Sequence, residues 1–177
     1  MMSSIVISTV AAAGIAAASA ALRQPLEVVP YVDLQKYLGT WYEIATIPQR
    51  FQKGCVGVTA EYRLRPDGDI DVVNSCRQDK LDGRERTARG KAWVVDKKTN
   101  AKLKVRFFWP FTGAYWIIGL DADYKWAIIG HPNRNYLWIL SRTPQMDGVL
   151  YEELLSLIAA KGYDLAKIKK TLQPGRT

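Results

Sequence analysis

The sequence predicts an all-β domain in which eight antiparallel strands close into an up-and-down barrel, with one α-helix near the C-terminus packed outside. Short β-rich runs separated by turn residues fill residues 39–143, a pattern typical of a sandwich or barrel. Several runs alternate apolar and polar residues, so each has one buried and one wet face. The connections are short enough for antiparallel neighbours, and closing the sheet removes its exposed edges.

The first half of the predicted barrel contains four strands and one long loop. The run Pro66-Asp67-Gly68-Asp69 supplies the turn of a hairpin, because Pro presets φ and Gly permits a positive φ. Residues Arg77–Lys91 are polar and basic, and they are predicted to form a loop. The strands are expected over residues 40–46, 58–64, 70–74 and 92–95.

The second half contains the clearest alternation in the chain. Within 102–107, Leu103, Val105 and Phe107 point one way and the cations between them point to water. A loop is expected at 109–113, and strands follow over 114–120, 126–130 and 136–141.

After Pro144 the pattern changes to that of an amphipathic helix. Asp147 is its predicted N-cap and Gly162 its C-terminal stop. A brief ninth strand is expected near 168–171. The buried face of the helix is predicted to contain Leu150, Leu154, Leu157 and Ile158.

The first twenty residues predict an export signal. They carry no charged side chain, residues 5–18 form an apolar run rich in Ala, and Ala18-Ser19-Ala20 is a cleavage signature. The apolar run is too short to span a bilayer, which needs about 20 residues; the alternative is a buried Ala-rich helix. We therefore expect residues 1–20 to be a signal peptide and residues 21–177 to be a single domain, periplasmic or secreted.

Composition and charge restrict the classes of partner. The chain of 177 residues is 48% hydrophobic and 24% charged, which excludes a disordered or collagen-like protein. Its net charge of +8 favours anionic partners. One His and two Cys leave almost no material for a zinc site, and neither a metal nor a cofactor is expected. Nucleic acid is not expected either, because the basic residues form neither a helix face nor an aromatic-stacking motif.

Cys55 and Cys76 have two interpretations. Export to an oxidising compartment favours a disulfide, which would stabilise the fold by roughly 3 kcal/mol in the chain-entropy model. The alternative is a free Cys55 thiolate acting as a nucleophile in the isomerisation of a lipid. His131 is expected to be structural or solvated, because no Ser or Cys partner is evident in the sequence.

Three motifs resemble those of the lipocalin family. Gly39-Thr40-Trp41, within residues 33–45, resembles the Gly-x-Trp that enters the first lipocalin strand. Asp121-Ala122-Asp123-Tyr124 resembles the second motif, with Asp121 where many members have Thr. Residues 140–144 resemble the third motif, and residues 136–142 are most similar to bacterial lipocalins and to their apolipoprotein D and temperature-induced plant relatives. Many bacterial members are outer-membrane lipoproteins, but no Cys lies near the predicted cleavage point, so we expect no lipid anchor.

The topology assigns the two ends of the barrel. Alternate connections share an end, so the start of the first strand, residues 121–124 and the end of the eighth strand lie together. Gly39, Trp41 and Arg142 are expected to form the structural base, with Trp41 closing the floor. Arg142 is predicted to stack on its indole, a cation–π contact worth about 0.5–2 kcal/mol.

The opposite end is the predicted mouth. Basic and aromatic residues there suit an acyl ligand with an anionic head group, or a phospholipid surface. The alternative is a solvated charged loop with aromatic side chains in local packing. The predicted mouth residues are Arg77, Arg84, Arg86, Phe108, Trp109 and Phe111.

Strand alternation nominates the residues that line the barrel. An eight-stranded barrel holds one small ligand, and apolar walls with few polar groups are typical of such a site. In similar lipocalins, equivalent lining positions contact the ligand. Tyr62, Asn74 and Trp138 stand out, because a purely structural core would be aliphatic. The full predicted lining is Val58, Ala60, Tyr62, Leu64, Val72, Asn74, Leu103, Val105, Phe107, Tyr136, Trp138 and Leu140.

Together these features predict a non-enzymatic protein that binds a small hydrophobic ligand, a fatty acid or lysophospholipid, in its barrel. It is expected to contact an anionic membrane surface peripherally and to be a monomer or weak dimer. The alternative function is a thiol-dependent lipid isomerase that acts through Cys55.

Overall fold

Eight antiparallel strands close into a barrel in the computed structural model, which describes residues 24–175. Each strand pairs with the next, and the last returns to the first, so the predicted fold is confirmed. The predicted signal segment, residues 1–20, lies outside the described residues. The strands are β1 (Gly39–Thr46), β2 (Cys55–Leu64), β3 (Ile70–Gln78), β4 (Glu85–Val94), β5 (Lys102–Phe108), β6 (Phe111–Leu120), β7 (Trp126–Gly130) and β8 (Leu137–Ser141).

Within residues 24–175, two α-helices accompany the barrel. The short helix α1 (Leu34–Tyr37) begins at Asp33, whose carboxylate accepts the N–H of Gln35. Helix α2 (Gly148–Ala160) begins at the predicted N-cap, because the Asp147 carboxylate accepts the N–H groups of Val149 and Leu150. None of the helices within residues 24–175 is long and apolar enough to cross a membrane.

Helix α2 packs on the outer wall of the barrel through Tyr151, Leu154 and Ile158. The prediction that Leu157 lies on the buried face is wrong, since its side chain is 47% exposed. Gly162 follows the helix at φ +82°, a conformation that Gly adopts without strain, as predicted for the stop.

The predicted loop Arg77–Lys91 is wrong. Most of it is strand, because β3 continues to Gln78 and β4 begins at Glu85, leaving a connection of six residues. The register pairs Ile70 with Ala92, Val72 with Gly90 and Asn74 with Ala88. The inward positions 88, 90 and 92 of β4 are therefore Ala, Gly and Ala, so the strand lacks the large apolar alternation by which strands are recognised.

The predicted loop at 109–113 is also shorter than expected. Only Trp109 and Pro110, joined by a cis peptide bond, lie between β5 and β6. This tight hairpin brings Phe108 and Phe111 opposite each other at its tip.

The hydrophobic side chains form two clusters separated by the barrel wall. The interior cluster contains Trp41, Tyr62, Val72, Leu103 and Leu140. The wall cluster lies outside, where the side chains of helix α2 pack against Ile118, Ile128 and Ile139.

The C-terminal tail, residues 168–174, closes a seam in the barrel. Strands β1 and β2 pair only over the first part of β1, from Gly39 to Tyr42. Beyond that point a short strand, β9 (Lys169–Lys170), pairs with Ala45 and Thr46, which confirms the brief ninth strand. Farther along the tail, the Leu172 carbonyl accepts the N–H of Gly57 and therefore links the tail to β2.

Candidate functional site

The floor of the barrel is sealed by Trp41 and Arg142. Trp41 is fully buried, and the Arg142 guanidinium carbon lies 3.8 Å from the centre of its indole. Arg142 also donates to the backbone oxygens of Thr40 and Lys36, at 2.9 and 2.7 Å. Because its donors are directed at backbone oxygens, this guanidinium holds the floor together and is poorly placed to bind a ligand.

Gly39 and Asp121 complete the floor. Gly39 has φ +92°, and a Cβ built there would lie 3.5 Å from Arg142 Nη1, so a side chain would be strained. Asp121 stands where many lipocalins have Thr. Its carboxylate accepts the N–H groups of Asp123 and Lys125, so it orders this turn.

A layer of tyrosines lies directly above the floor. The Tyr115 hydroxyl lies 2.7 Å from that of Tyr37 and 2.8 Å from that of Tyr62, and the Tyr37 ring packs 5.1 Å from Trp41. Burial raises the pKa of Tyr62 to about 12 and the pKa values of Tyr37 and Tyr115 well above their ordinary range. The tyrosines are therefore neutral and connect three strands or helices through hydrogen bonds.

The lower half of the interior is closely packed. Of the predicted lining residues, Tyr62, Val72, Leu103 and Leu140 belong to the buried part of the interior cluster. Leu64 does not line it, because it lies at the base end of β2 with 44% of its side chain exposed. Leu64 is on the inward-facing register of β2, because it pairs with Ile70. However, it is the last residue of the strand and lies below the closed floor.

The upper half of the interior is lined by side chains that are only partly buried. Ala60, Val105, Phe107 and Trp138 pack against the interior cluster but are only partly buried. Tyr136 is also half-buried and stacks on Trp138, with ring centres 6.1 Å apart. These partly buried side chains surround the mouth end of the interior, above the tyrosine layer. This region, here called the chamber, is the candidate site.

Two polar groups enter the chamber from β3 and β4. Asn74 lies opposite Ala60 and Ala88, and its Oδ1 is buried without a hydrogen-bond partner among residues 24–175. Arg86 pairs with Cys76 on the same inward-facing register, at the rim. Its Nη1 donates to Gln78 Oε1 at 2.9 Å, which holds the guanidinium at the mouth.

The other predicted mouth cations occupy different places. Arg77 is on the outward register of β3, where its guanidinium lies 3.5 Å from the Glu85 carboxylate. It therefore lies at the mouth end, as predicted, but its side chain faces away from the chamber. Arg84 lies in the exposed β3–β4 connection at the mouth end.

The predicted mouth aromatics are all solvent-exposed. Phe108, Trp109 and Phe111 are 74%, 81% and 77% exposed at the tip of the β5–β6 hairpin. The alternative, in which these rings are buried in local packing, is wrong. Monomeric proteins rarely expose adjacent large aromatic side chains without an interaction that uses them.

A buried polar network connects the chamber to the C-terminal tail. Gln52 accepts from Trp138 Nε1 at 3.1 Å and donates to the Glu43 carboxylate at 2.8 Å. Thr171 of the tail donates to the same carboxylate. Burial raises the pKa of Glu43, and these two hydrogen bonds oppose the rise. The network fixes the orientation of the Trp138 indole, and it was not predicted, because its members are far apart in sequence.

Neither candidate for nucleophilic chemistry has the partners it needs. Cys55 and Cys76 form a disulfide, which confirms the predicted bond, so the alternative of a Cys55 thiolate has no free thiol in the structure. His131 Nδ1 lies 2.7 Å from Asn133 Oδ1, and its ring packs against Tyr136. These contacts are those of a structural His.

Val58 is buried beside the tail, where its carbonyl accepts from Gln173 Nε2 at 2.8 Å. It therefore belongs to the seam between β2 and the tail.

Sequence reasoning also missed interior residues on the strands that helix α2 covers, namely Ile117, Ala127 and Ile129. Those strands are buried on both faces, so they read as continuous apolar runs without the alternation that would reveal which side chains point inward.

Two depressions on the surface of the described residues lie outside the barrel. One, of about 390 Å³, is at the base beside Lys36, Lys125 and Arg142. The other, of about 270 Å³, is on the outer wall between Arg63 and Arg89. The base depression is unsuited to an acyl chain, because charged groups surround it.

Comparison with known proteins agrees with this architecture. The model of the Lipocalin-like domain matches residues 32–173. Temperature-induced lipocalin-1 of Arabidopsis thaliana is 42% identical over 160 residues, covering 85% of this chain and 84% of its own. Outer membrane lipoprotein Blc of Escherichia coli K12 is 43% identical over 148 residues, covering 84% and 83%. Apolipoprotein D of Bos taurus is 32% identical over 148 residues, covering 80% and 77%.

Insecticyanin from the tobacco hornworm Manduca sexta shares the fold. Its structure aligns with a TM-score of 0.65 over 82% of this chain and 83% of its own, at 20% identity. These comparisons confirm the resemblance inferred from the three motifs.

Proposed function

The chain belongs to the lipocalin family, and on that premise we propose that it binds a single-chain lipid, a fatty acid or lysophospholipid, in the mouth half of its barrel. The observation that carries the proposal is the contrast within the interior. Tyr62, Val72 and Leu103 are buried, whereas Val105, Phe107 and Trp138, nearer the mouth, are apolar and only partly buried. Apolar walls that water can reach gain free energy when an acyl chain covers them.

The chamber matches the chemistry of an acyl chain with a polar head. Each methylene removed from water contributes about 0.8 kcal/mol, so a long chain binds through its tail without specific contacts. Arg86 at the rim is positioned to meet an anionic head group. The unpartnered Oδ1 of Asn74 offers an acceptor to a hydroxyl, such as that of a lysophospholipid.

The relatives support export to the cell envelope. One is named an outer membrane lipoprotein, and the predicted signal segment at residues 1–20 agrees with an exported chain. We propose that the protein collects its lipid at a membrane surface, as a monomer or weak dimer.

Paired substitutions on neighbouring residues of β4 test the proposal. Ala88 faces the chamber, whereas Thr87 is exposed on the outward register. Ala88→Phe should fill the chamber and weaken binding of a fluorescent fatty acid at least about tenfold, a loss of ~1.4 kcal/mol. Thr87→Phe should bind like the wild type. Unlabelled oleate and lysophosphatidylglycerol should displace the probe, and a DNA oligonucleotide should not.

Equal binding by the wild type and Ala88→Phe, with both folded, would contradict the placement of the site. Failure of the wild type to bind either lipid would reject the function itself. Native mass spectrometry of the purified protein would then show whether any other small molecule travels with it.

A further inference from the structure

The outer wall formed by β4, β5 and β6 carries a row of cations, here called the cationic wall. Its residues lie on the outward register, because Lys91 pairs with Arg106, Trp93 with Lys104 and Lys102 with Trp116, whereas the alternate pair Ala92 and Val105 faces the interior. The sequence prediction had placed part of this charge in a mouth loop. The cationic wall consists of Arg89, Lys91, Trp93, Lys102, Lys104, Arg106 and Trp116.

The charge on this wall is largely uncompensated. Strands β5 and β6 contain no Asp or Glu, and the single acid of β4, Glu85, lies against Arg77 on β3. Lys91 is paired with Asp69, but within residues 24–175 no ion pair involves Arg89, Lys102, Lys104 or Arg106. A cluster of unpaired cations attracts an anionic surface.

Tryptophans lie beneath these cations. Lys102 Nζ is 4.7 Å from the centre of the Trp116 ring, and the Arg106 guanidinium is 5.7 Å from Trp93. Lys91 Nζ is 6.0 Å from the same Trp93 ring. Amphipathic rings with long cationic side chains are typical of the region between lipid head groups and acyl chains.

The cationic wall runs without interruption into the aromatic tip of the β5–β6 hairpin. Phe108 follows Arg106 on β5, and the distance from Lys102 to Phe108 along the strand is about 20 Å. At the tip Trp109 and Phe111 are almost fully exposed. One side of the molecule therefore presents apolar rings at the mouth and cations below them.

The opposite side is different. Helix α2 covers β7 and β8 there, and it exposes Glu152 and Glu153 to solvent. The exposed Lys169 and Lys170 lie near these carboxylates, with Lys170 Nζ 4.2 Å from the Tyr151 ring of helix α2. The cationic wall differs in that its strands β5 and β6 carry cations and no Asp or Glu.

We propose that the protein docks side-on to an anionic phospholipid bilayer through the cationic wall, with the aromatic tip inserted among the head groups. The mouth then opens at the edge of the contact, where a lipid could enter the chamber. This inference rests on the proposed lipid-binding function, and it adds the partner surface and the orientation of the barrel on it.

Cosedimentation with large unilamellar vesicles tests the docking surface. The wild type should bind vesicles of phosphatidylcholine with 30% phosphatidylglycerol at low salt, and binding to pure phosphatidylcholine should be far weaker. A cation near an anionic surface changes partitioning about fivefold, so Lys102→Gln, Lys104→Gln and Arg106→Gln together should weaken binding about 100-fold. Arg89→Gln with Lys104→Gln, which leaves the cations on the tryptophans intact, should weaken it about 25-fold.

A matched control removes the same charge from elsewhere. Lys97, Lys98 and Lys169 are exposed and lie off the cationic wall, so the triple Gln variant of these residues should lose much less affinity. Equal losses in the two triple variants would overturn the proposal, because binding would then follow net charge alone. Equal binding to both vesicle compositions, or stronger binding to a DNA duplex at the same salt, would also overturn it.

Fatty-acid binding in vesicle-free solution separates this proposal from the function on which it rests. The cationic-wall variants should bind the fluorescent fatty acid like the wild type, since none of the substituted residues faces the chamber. If the wild type binds fatty acid but no vesicles, the docking surface is wrong and the proposed function stands. If it binds vesicles but no fatty acid, the proposed function fails.

Discussion

The floor half and the mouth half of the barrel interior are built by the same strands. They differ in whether their side chains have stacking and hydrogen-bond partners within the protein. In the floor half, Trp41 is covered by Arg142 and the hydroxyls of Tyr37, Tyr62 and Tyr115 bind one another. In the mouth half, apolar rings remain accessible and the Asn74 acceptor has no partner within the described chain. The packing residues of the floor half therefore have partners for their polar groups, whereas the proposed binding residues of the mouth half leave polar and apolar groups without partners.

The largest expected effect is the loss of the floor. Trp41→Ala removes a fully buried indole and the surface on which Arg142 stacks, so the free energy of unfolding should fall by about 3–5 kcal/mol. Urea denaturation measures this change. A loss below about 1 kcal/mol would show that the floor half is not the stabilising half.

The second-largest loss in the free energy of unfolding is expected in the tyrosine layer. Tyr115→Phe leaves the hydroxyls of Tyr37 and Tyr62 without their shared partner, at a cost of about 1–3 kcal/mol. Tyr136→Phe is the matched control at the mouth, because within residues 24–175 its hydroxyl has no recorded hydrogen bond. Denaturation of the two variants side by side should show a loss for Tyr115 alone, and equal stability would remove the distinction.

Trp138→Ala should weaken ligand binding and should destabilise the fold less than Trp41→Ala does. Trp138 is half-buried in the chamber wall, so the substitution should weaken fatty-acid affinity about tenfold, or ~1.4 kcal/mol. Its effect on unfolding should be less than half of that of Trp41→Ala. Fluorescent fatty-acid titration and urea denaturation measure the two quantities. Unchanged affinity together with a large loss of stability would make Trp138 a packing residue.

The smallest effect concerns Glu43, which lies beneath the chamber wall. Burial raises the pKa of Glu43 above its ordinary 4.5. A carboxyl with a raised folded-state pKa stabilises the fold below its unfolded pKa, and this contribution is lost as pH rises through the folded pKa. The stability of the wild type relative to Glu43→Gln should therefore decline as the pH rises above the ordinary pKa of 4.5. Unfolding curves across this range would refute the assignment if the difference stayed flat or increased.

The sequence predicted the barrel and much of its lining for a physical reason. On β2, β3 and β5 one face is wet, so alternation correctly indicated that Tyr62, Val72 and Leu103 point inward. On β4 the same reasoning failed. Gly90 lies against Phe107, whose ring carbon would be 2.7 Å from a Cβ built on the glycine, so the large side chain on β5 requires a small one on β4. Alternation is absent wherever a neighbouring strand fills the space.

Other parts of the site depend on contacts between distant residues. The hydrogen bonds that connect Trp138, Gln52 and Glu43 to Thr171 span most of the chain. The tail that brings Thr171 to this place is held by backbone hydrogen bonds to Gly57 and Ile44 and by the Gln173 amide, which donates to the carbonyls of Glu43 and Val58. The partners of the tail are backbone groups, which residues of almost any type supply. Its path therefore leaves no local signal in the sequence.

The most direct test of the account is to find where the end of a bound acyl chain lies. A fatty acid with a terminal photoreactive diazirine can be crosslinked to the wild-type protein, and the modified residues can be identified by mass spectrometry. If the chamber is the binding site, adducts should form in the mouth half, on residues such as Phe107 and Trp138, and none should form on Trp41 below the tyrosine layer. Adducts mainly on the outer wall of the barrel, or on Trp41, would contradict it.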